Sequence, residues 1–128
     1  MSATRYLLSL GSNCPDGELR LRRAEEWLRE RFADVETSGI YTSKALNGAS
    51  PDYFNMVARV TSPLSVTDMI SAAKAYEASC GRTPAGKLRG RVEMDVDIIA
   101  AGPTILRPEE YTRSYFIRGL SLLSSSGV

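Results

Sequence analysis

The chain has 128 residues, of which 43% are hydrophobic and 24% are charged, a composition typical of one soluble globular domain. Its formal net charge of +1 provides no overall field that would attract it to nucleic acid or to a membrane surface. Histidine is absent, which excludes catalytic triads that use histidine and zinc sites that use it as a ligand.

The cysteines and the first apolar run indicate a cytoplasmic protein. Cys14 and Cys80 are too few for a disulfide framework, and neither belongs to a C-x-x-C motif. The run Tyr6–Leu10 is far too short for the apolar region of a signal peptide or for a membrane span. We therefore expect a reducing compartment and no contact with a membrane.

The first half of the chain predicts a strand, a helix and two further strands. "RYLLSL" is a buried strand that ends at the turn residues Gly11-Ser12-Asn13, and a helix follows from about Asp16 to Phe32. "VETSGIYT" is the second strand, and "DYFNMVARV" is the third. Alternation in the third strand places Phe54, Met56, Ala58 and Val60 on one face and Tyr53, Asn55, Val57 and Arg59 on the other.

The second half predicts a helix, a strand and a tail. The helix begins near Ser65, whose spacing from Asp68 indicates an N-terminal cap, and it ends at Gly81. The last strand covers about Val92–Ile99. The order βαββαβ predicts a ferredoxin-like α+β sandwich, in which two helices pack on one face of an antiparallel sheet.

The last strand carries an acidic face. Glu93, Asp95 and Asp97 alternate with apolar residues, so their side chains share one side of the strand. Carboxylates this close repel each other unless a proton or a divalent cation neutralises them. Oxygen ligands without histidine or cysteine suit Mg²⁺. A solvated acidic face is the alternative, and the spacing by itself does not decide between the two.

Three further features could belong to the same site. The segment 81–91, "GRTPAGKLRGR", is basic, glycine-rich and free of acids, which suits polyphosphate binding but also suits a solvated loop. Glu77 falls within the apolar stripe of the second helix, either reaching out at the sheet edge or contacting a ligand. Tyr53 and Asn55 place an aromatic ring and an amide on one strand face, as a heterocycle site or as ordinary surface.

Several stretches resemble the 6-hydroxymethyl-7,8-dihydropterin pyrophosphokinase family, which transfers diphosphate from ATP to a pterin alcohol in folate biosynthesis. The resembling stretches are "SLGSN" at 9–13, "PDYFNMV" at 51–57, "EASCGR" at 77–82, "MDVDII" at 94–99 and, more weakly, "RSYFIRGL" at 113–120. They follow the family order over nearly the whole chain. The resemblance implies a single pyrophosphokinase-like domain over residues 1–128 with the ferredoxin-like fold.

The resemblance also implies the roles of individual residues. Asp95 and Asp97 would hold two Mg²⁺ ions that bridge ATP to the pterin hydroxyl. The implied nucleotide contacts are Glu77, Arg82, Arg107 and Arg113, and the implied catalytic residues are Asp95, Asp97, Arg82 and Arg91. The implied pterin contacts are Tyr53 and Tyr115, which would enclose the ring, with Asn55 at its edge and Thr42 close by. The expected partners are ATP and a pterin alcohol, and the expected state is a monomer or weak homodimer.

The chain departs from the family pattern around the basic segment. A family tryptophan is Arg89, the phosphate-binding arginine position is Val92 with Arg91 beside it as a substitute, and a family histidine is Arg107. Glu93 adds an acid beside the metal residues, and the chain is shorter than the family at its C-terminus. We therefore expect transfer to be slower than is usual for the family.

Three functions remain open from the sequence. The first is ATP-dependent diphosphate transfer to the pterin. The second is a weakened relative that binds nucleotide or pterin without efficient catalysis. The third is an RNA-binding module, because RNA-recognition domains share the βαββαβ order, but the strands lack the aromatic motifs that such modules use.

Overall fold

The computed structural model describes residues 2–44, 52–81 and 90–123. The strands within these residues are β1 (Thr4–Ser12), β2 (Ala33–Thr37), β3 (Tyr41–Ser43), β4 (Tyr53–Ser62), β5 (Asp95–Ala101) and β6 (Thr104–Ile105). The helices are α1 (Gly17–Arg31), α2 (Val66–Ser79), α3 (Pro108–Tyr111) and α4 (Ser114–Leu122). None of the helices in this part of the chain is long and apolar enough to cross a membrane.

The strands form one antiparallel sheet. Its order is β2-β4-β1-β5-β6, and β3 also pairs with β4. The α+β class and the antiparallel sheet are confirmed, but six strands replace the four of the predicted ferredoxin-like sandwich. The predicted second strand is divided between β2 and β3, because the chain turns at Gly39, whose φ of 77° favours glycine.

One face of the sheet carries the main core. Alternate residues of the central strands point to this face and are buried against α1 and α2. The buried strand residues are Tyr6, Leu8, Leu10, Met56, Ala58, Val60, Val96 and Ile98. Between the helices, Trp27 stacks on Tyr76 with ring centroids 4.3 Å apart. The alternation predicted for the third strand is thus confirmed for its core-facing side.

Both long helices have the boundaries that their capping residues predict. In α1, Asp16 is the N-cap and Phe32 is the C-cap. In α2, the Ser65 side chain accepts a hydrogen bond from the backbone N–H of Asp68 at 3.1 Å, and Gly81 follows the C-cap with a φ of 89°.

The opposite face is covered at one end by α4, which the sequence had assigned to a tail. Phe116 of α4 packs against Val57 and Ile99 in a second apolar cluster. Gly119 permits this contact, because a Cβ atom there would overlap the Tyr41 hydroxyl and the Val57 side chain. Helices therefore lie on both faces of the sheet rather than on one.

Candidate active site

The candidate site lies on the second sheet face, around Gly11. Gly11 of β1 pairs with Asp95 on one side and with Asn55 on the other, so the carboxylate and the amide share a face. Two strand spacings separate them, or roughly 10 Å. Gly11 has no side chain, so only backbone lies between the strand positions of these two polar groups.

The amide side of Gly11 belongs to β3 and β4. The Asn55 Nδ2 atom donates to the Ser43 hydroxyl at 2.6 Å, and the Oδ1 atom lies 3.5 Å from the position that a Cβ of Gly11 would take. Tyr53 Cδ2 lies 3.4 Å from that same position. Tyr53 and Asn55 are therefore brought together beside Gly11, as the strand alternation predicted.

Thr42 occupies a different place. It pairs with Phe54 in the sheet, so its side chain points to the face opposite Asn55. Its backbone carbonyl accepts a hydrogen bond from the Arg118 side chain at 3.0 Å. If Thr42 contributes to the site, its backbone is the part that lies nearest to Asn55.

Asp97 lies on the same face as Asp95, two residues along β5. Burial, followed by repulsion from Asp95 and Glu110, raises the pKa of Asp97 to about 7. Arg107 opposes this shift, with its Nη1 atom 3.6 Å from Asp97 Oδ1. Burial and repulsion thus disfavour the ionised form of the Asp97 carboxylate, and a further positive charge nearby would stabilise it.

Arg107, Glu110 and Tyr115 extend the site towards α4. The Arg107 Nε atom donates to Glu110 Oε1 at 3.2 Å, and the Tyr115 hydroxyl donates to Glu110 Oε2 at 2.8 Å. Burial and the nearby Glu110 carboxylate raise the pKa of Tyr115, so its hydroxyl remains a donor at neutral pH. The structure therefore connects Asp97, Arg107 and Tyr115, three residues that the sequence assigned to one site.

Glu77 supports the acidic strand from α2. It is buried, and its Oε2 atom accepts a hydrogen bond from the backbone N–H of Val96 at 2.7 Å. Val96 lies between Asp95 and Asp97, so this bond fixes the strand segment that carries both carboxylates. The unusual carboxylate in the apolar stripe of α2 is thus partly explained by a bond to the sheet.

Glu93 and Arg91 pair with each other at the entrance to β5. The Arg91 Nε atom lies 3.0 Å from Glu93 Oε1, and the Glu93 side chain is only 5% exposed. Among the described residues, no three histidine, cysteine or acidic side chains form a group that could hold a metal ion. The expectation that Glu93 adds a third acid to the metal residues is therefore wrong.

Asn13 anchors the chain just before the acidic strand. Its Nδ2 atom donates to the Gly90 carbonyl at 2.6 Å, and its Oδ1 atom accepts from the Val92 backbone N–H at 2.7 Å. Arg91 lies between these two bonds and borders a cavity of about 580 Å³. Val92 itself is buried, so its side chain belongs to the core rather than to a phosphate contact.

Of the other arginines considered for the site, the structure describes Arg113. Arg113 is the N-cap residue of α4 and is exposed, and it is near enough to Tyr115 to oppose the rise in that residue's pKa. Arg82 and Arg89 lie outside the described residues, together with most of the basic segment.

The donor set of β5 suits magnesium. Asp95 and Asp97 are oxygen donors on one strand face, and burial together with repulsion from Asp95 raises the pKa of Asp97. Magnesium needs only one or two carboxylates, because water and phosphate oxygens complete its octahedron. The two aspartates therefore fit the ion without a third acid.

The sequence missed three contributors to the site. Gly11 and Asn13 were noted as turn residues and as part of the resembling stretch "SLGSN" but were given no role, because their roles depend on contacts between distant segments. Glu110 was not noted, although its position three residues after Arg107 at a helix start is a typical ion-pair spacing.

Comparison with known proteins identifies the family. No curated protein matches the chain. The family model described as 7,8-dihydro-6-hydroxymethylpterin-pyrophosphokinase matches residues 7–125. This range includes every strand and helix of the described structure except the first residues of β1. The chain therefore belongs to the 7,8-dihydro-6-hydroxymethylpterin-pyrophosphokinase family.

Proposed function

We propose that the protein transfers diphosphate from ATP to the hydroxyl of 6-hydroxymethyl-7,8-dihydropterin and releases AMP. The observation that carries the proposal is the arrangement around Gly11, where Asp95 and Asn55 lie on the same sheet face on either side of this residue. In a member of this family, a carboxylate beside the phosphates and an amide beside the heterocycle are what the two substrates require.

The acceptor ring would lie on the amide side. Tyr53 offers an aromatic face, and Asn55 offers a hydrogen-bond acceptor directed over Gly11. Tyr115, held by its hydroxyl, would bound the ring from the side of α4. Holding both substrates in one geometry supplies much of the rate enhancement in a transfer of this kind.

The triphosphate would lie on the acidic side. Asp95 and Asp97 would hold Mg²⁺, which supplies charge neutralisation and orientation to the phosphates when bound. Arg107 and Arg91 would contact phosphate oxygens, with Arg113 and Arg82 as further nucleotide contacts. Glu77 keeps the two aspartates in place through the Val96 amide.

The chemistry is a displacement at the β-phosphorus of ATP. The acceptor oxygen forms a bond to this phosphorus, and the bond from the same phosphorus to the oxygen that bridges it to the α-phosphorus breaks. AMP leaves with that oxygen. The acceptor loses its hydroxyl proton, and in a chain without histidine the proton passes to Asp97 or to water.

The second sheet face argues against RNA as the ligand. RNA-recognition sheets expose aromatic rings on their central strands and attract phosphates with basic side chains. Here β1 presents Ser9 and Gly11, and β5 presents Asp95 and Asp97. Carboxylates without a metal would repel a nucleic acid backbone.

The direct test is product formation. Purified protein with Mg²⁺ and ATP should release AMP only when the hydroxymethyl pterin is added, and equal amounts of pterin diphosphate should appear by mass spectrometry. AMP release that does not depend on the pterin would contradict the proposal. Binding of both substrates without any product would instead support the weakened relative.

A further inference from the structure

Arg107 lies between two carboxylates that belong to different elements. Asp97 comes from β5, and Glu110 comes from α3. The Arg107 Nη1 atom is 3.6 Å from Asp97 Oδ1, whereas its Nε atom is 3.2 Å from Glu110 Oε1 and makes a hydrogen bond. The first distance is too long for a hydrogen bond. Arg107 is therefore hydrogen-bonded to Glu110, whereas it forms a longer ion pair with Asp97 that has no hydrogen bond.

Glu110 is itself fixed in place. Its second oxygen, Oε2, accepts the hydrogen bond from the Tyr115 hydroxyl, and its side chain is only 12% exposed. Arg107, by contrast, has a long side chain that is 53% exposed. A rigid carboxylate thus restrains a flexible guanidinium, and this restraint decides how closely the guanidinium approaches Asp97.

We infer that Glu110 is a positioning residue that holds Arg107 back from Asp97 and so keeps Asp97 available to a divalent cation. This inference rests on the proposed function, in which Asp97 is a metal ligand. Without Glu110, the guanidinium is free to approach Asp97 more closely and to turn the 3.6 Å ion pair into a hydrogen-bonded one. A cation would then have to displace a more tightly held guanidinium before it binds.

The restraint also serves nucleotide binding. When Asp97 engages a cation, Arg107 keeps its bond to Glu110 through Nε, and its Nη atoms remain free to donate to a phosphate oxygen. Glu110 therefore allows one arginine to sit beside a metal ligand without occupying it.

The test measures metal binding rather than turnover. Mn²⁺ is titrated into the protein in the presence of a non-hydrolysable ATP analogue, and free Mn²⁺ is followed by electron paramagnetic resonance. We expect Glu110→Gln to weaken Mn²⁺ binding by about 3- to 10-fold, the range of one added ion pair. Glu109→Gln is the matched control, since it removes the same charge from the adjacent exposed position and should change binding less than 2-fold.

A second comparison separates positioning from simple charge. In an Arg107→Gln background there is no guanidinium to restrain, so we expect Glu110→Gln to have no further effect on Mn²⁺ binding. An equal loss in both backgrounds would mean that the charge of Glu110 attracts the metal directly, and the inference would be overturned. Should Glu110→Gln fold poorly, Tyr115→Phe loosens Glu110 without changing charge and should weaken Mn²⁺ binding in the same direction. No weakening in Tyr115→Phe would then overturn the inference.

The two levels of the proposal fail differently. If the unaltered protein binds no Mn²⁺ with the nucleotide analogue, the proposed function fails, and the inference fails with it. If the unaltered protein binds Mn²⁺ and Glu110→Gln binds it equally well, only the inference fails.

Discussion

The two faces of the sheet differ in what their side chains do for the fold. On the face beneath α1 and α2, alternate strand residues are apolar and almost completely buried, as for Leu8, Met56 and Ile98. On the other face, the corresponding positions include Asp95, Asp97 and Asn55 around the bare backbone of Gly11. The same strands therefore carry one side that is apolar throughout the core and another that is apolar beneath α4 but polar around Gly11.

The difference separates residues that stabilise the fold from residues that do not. Apolar side chains removed from water stabilise the fold in proportion to their buried area. A half-buried aspartate whose pKa rises to about 7 through burial and repulsion has the opposite effect when it is ionised. A residue that lowers the free energy of unfolding and lies outside the main core is expected to bind a ligand.

Neutralising the acidic pair should give the largest effect. Asp95→Asn and Asp97→Asn should each lower diphosphate transfer by about 10³-fold or more, because the carboxylates would no longer hold the metal that the phosphates need. The far-ultraviolet circular dichroism spectrum should remain unchanged.

Glu93→Gln is the control for these two variants. Glu93 shares the alternation but pairs with Arg91 and is buried, so its variant should retain most of the activity. Loss of activity in Glu93→Gln together with normal turnover in both aspartate variants would reverse the assignment.

Truncations on the amide side should have smaller and more selective effects. Tyr53→Ala and Asn55→Ala should each weaken acceptor binding by about 5- to 100-fold, as expected for a lost aromatic contact or a lost buried hydrogen bond. Nucleotide binding should change by less than 3-fold. Fluorescence titration of the pterin and calorimetry of the ATP analogue measure the two affinities, and parallel losses would show that the two halves of the site are not distinct.

The smallest expected change concerns Gly11. A Cβ at position 11 would make ordinary contacts with Tyr53 at 3.4 Å and Asn55 at 3.5 Å, so Gly11→Ala should fold normally. Its methyl group would nevertheless occupy space between the amide and the acidic side. We expect the Michaelis constant for the acceptor to rise by about 2- to 5-fold with little change for ATP. An unchanged constant would place the acceptor elsewhere on the face.

The local pattern of the sequence was enough to predict the elements beneath the packed face. The limits of α2 follow from Ser65 at its start and Gly81 at its end, and both residues make the predicted cap. The side assignment of β4 follows from simple alternation, which the packed core confirms. These features depend only on neighbours in the sequence.

The arrangement of the second sheet face depends on contacts between residues that are far apart in the chain, and the sequence did not reveal these contacts. The packing of α4 requires Gly119 to lie against Tyr41, although these residues are far apart in the chain. Arg107 and Glu110 are a local pair, but their relation to Asp97 exists only once β5 and α3 are adjacent. Glu93 shows the converse case. Alternation along the strand grouped it with the two aspartates, but in the structure its side chain pairs with Arg91.

The pH dependence of the free energy of unfolding should report on Asp97, which lies on the polar part of the second sheet face. Asp97 has a pKa of about 7 in the folded protein against an ordinary value of 3.8, so the folded state binds the extra proton between these values. Its contribution to the free energy of unfolding is therefore most favourable below about pH 4 and declines as the pH rises towards 7. The ionised group costs on the order of 2–4 kcal/mol above that range.

The most direct measurement is the free energy of unfolding of Asp97→Asn and of the unaltered protein, both metal-free at pH 8. Urea denaturation in the presence of a chelator provides it. We expect the variant to be more stable by about 1–3 kcal/mol, because asparagine keeps the shape and removes a charge whose burial and repulsion outweigh its attraction to Arg107. A variant that is less stable than the unaltered protein would show that Asp97 serves the fold, and it would contradict the assignment of this face to ligand binding.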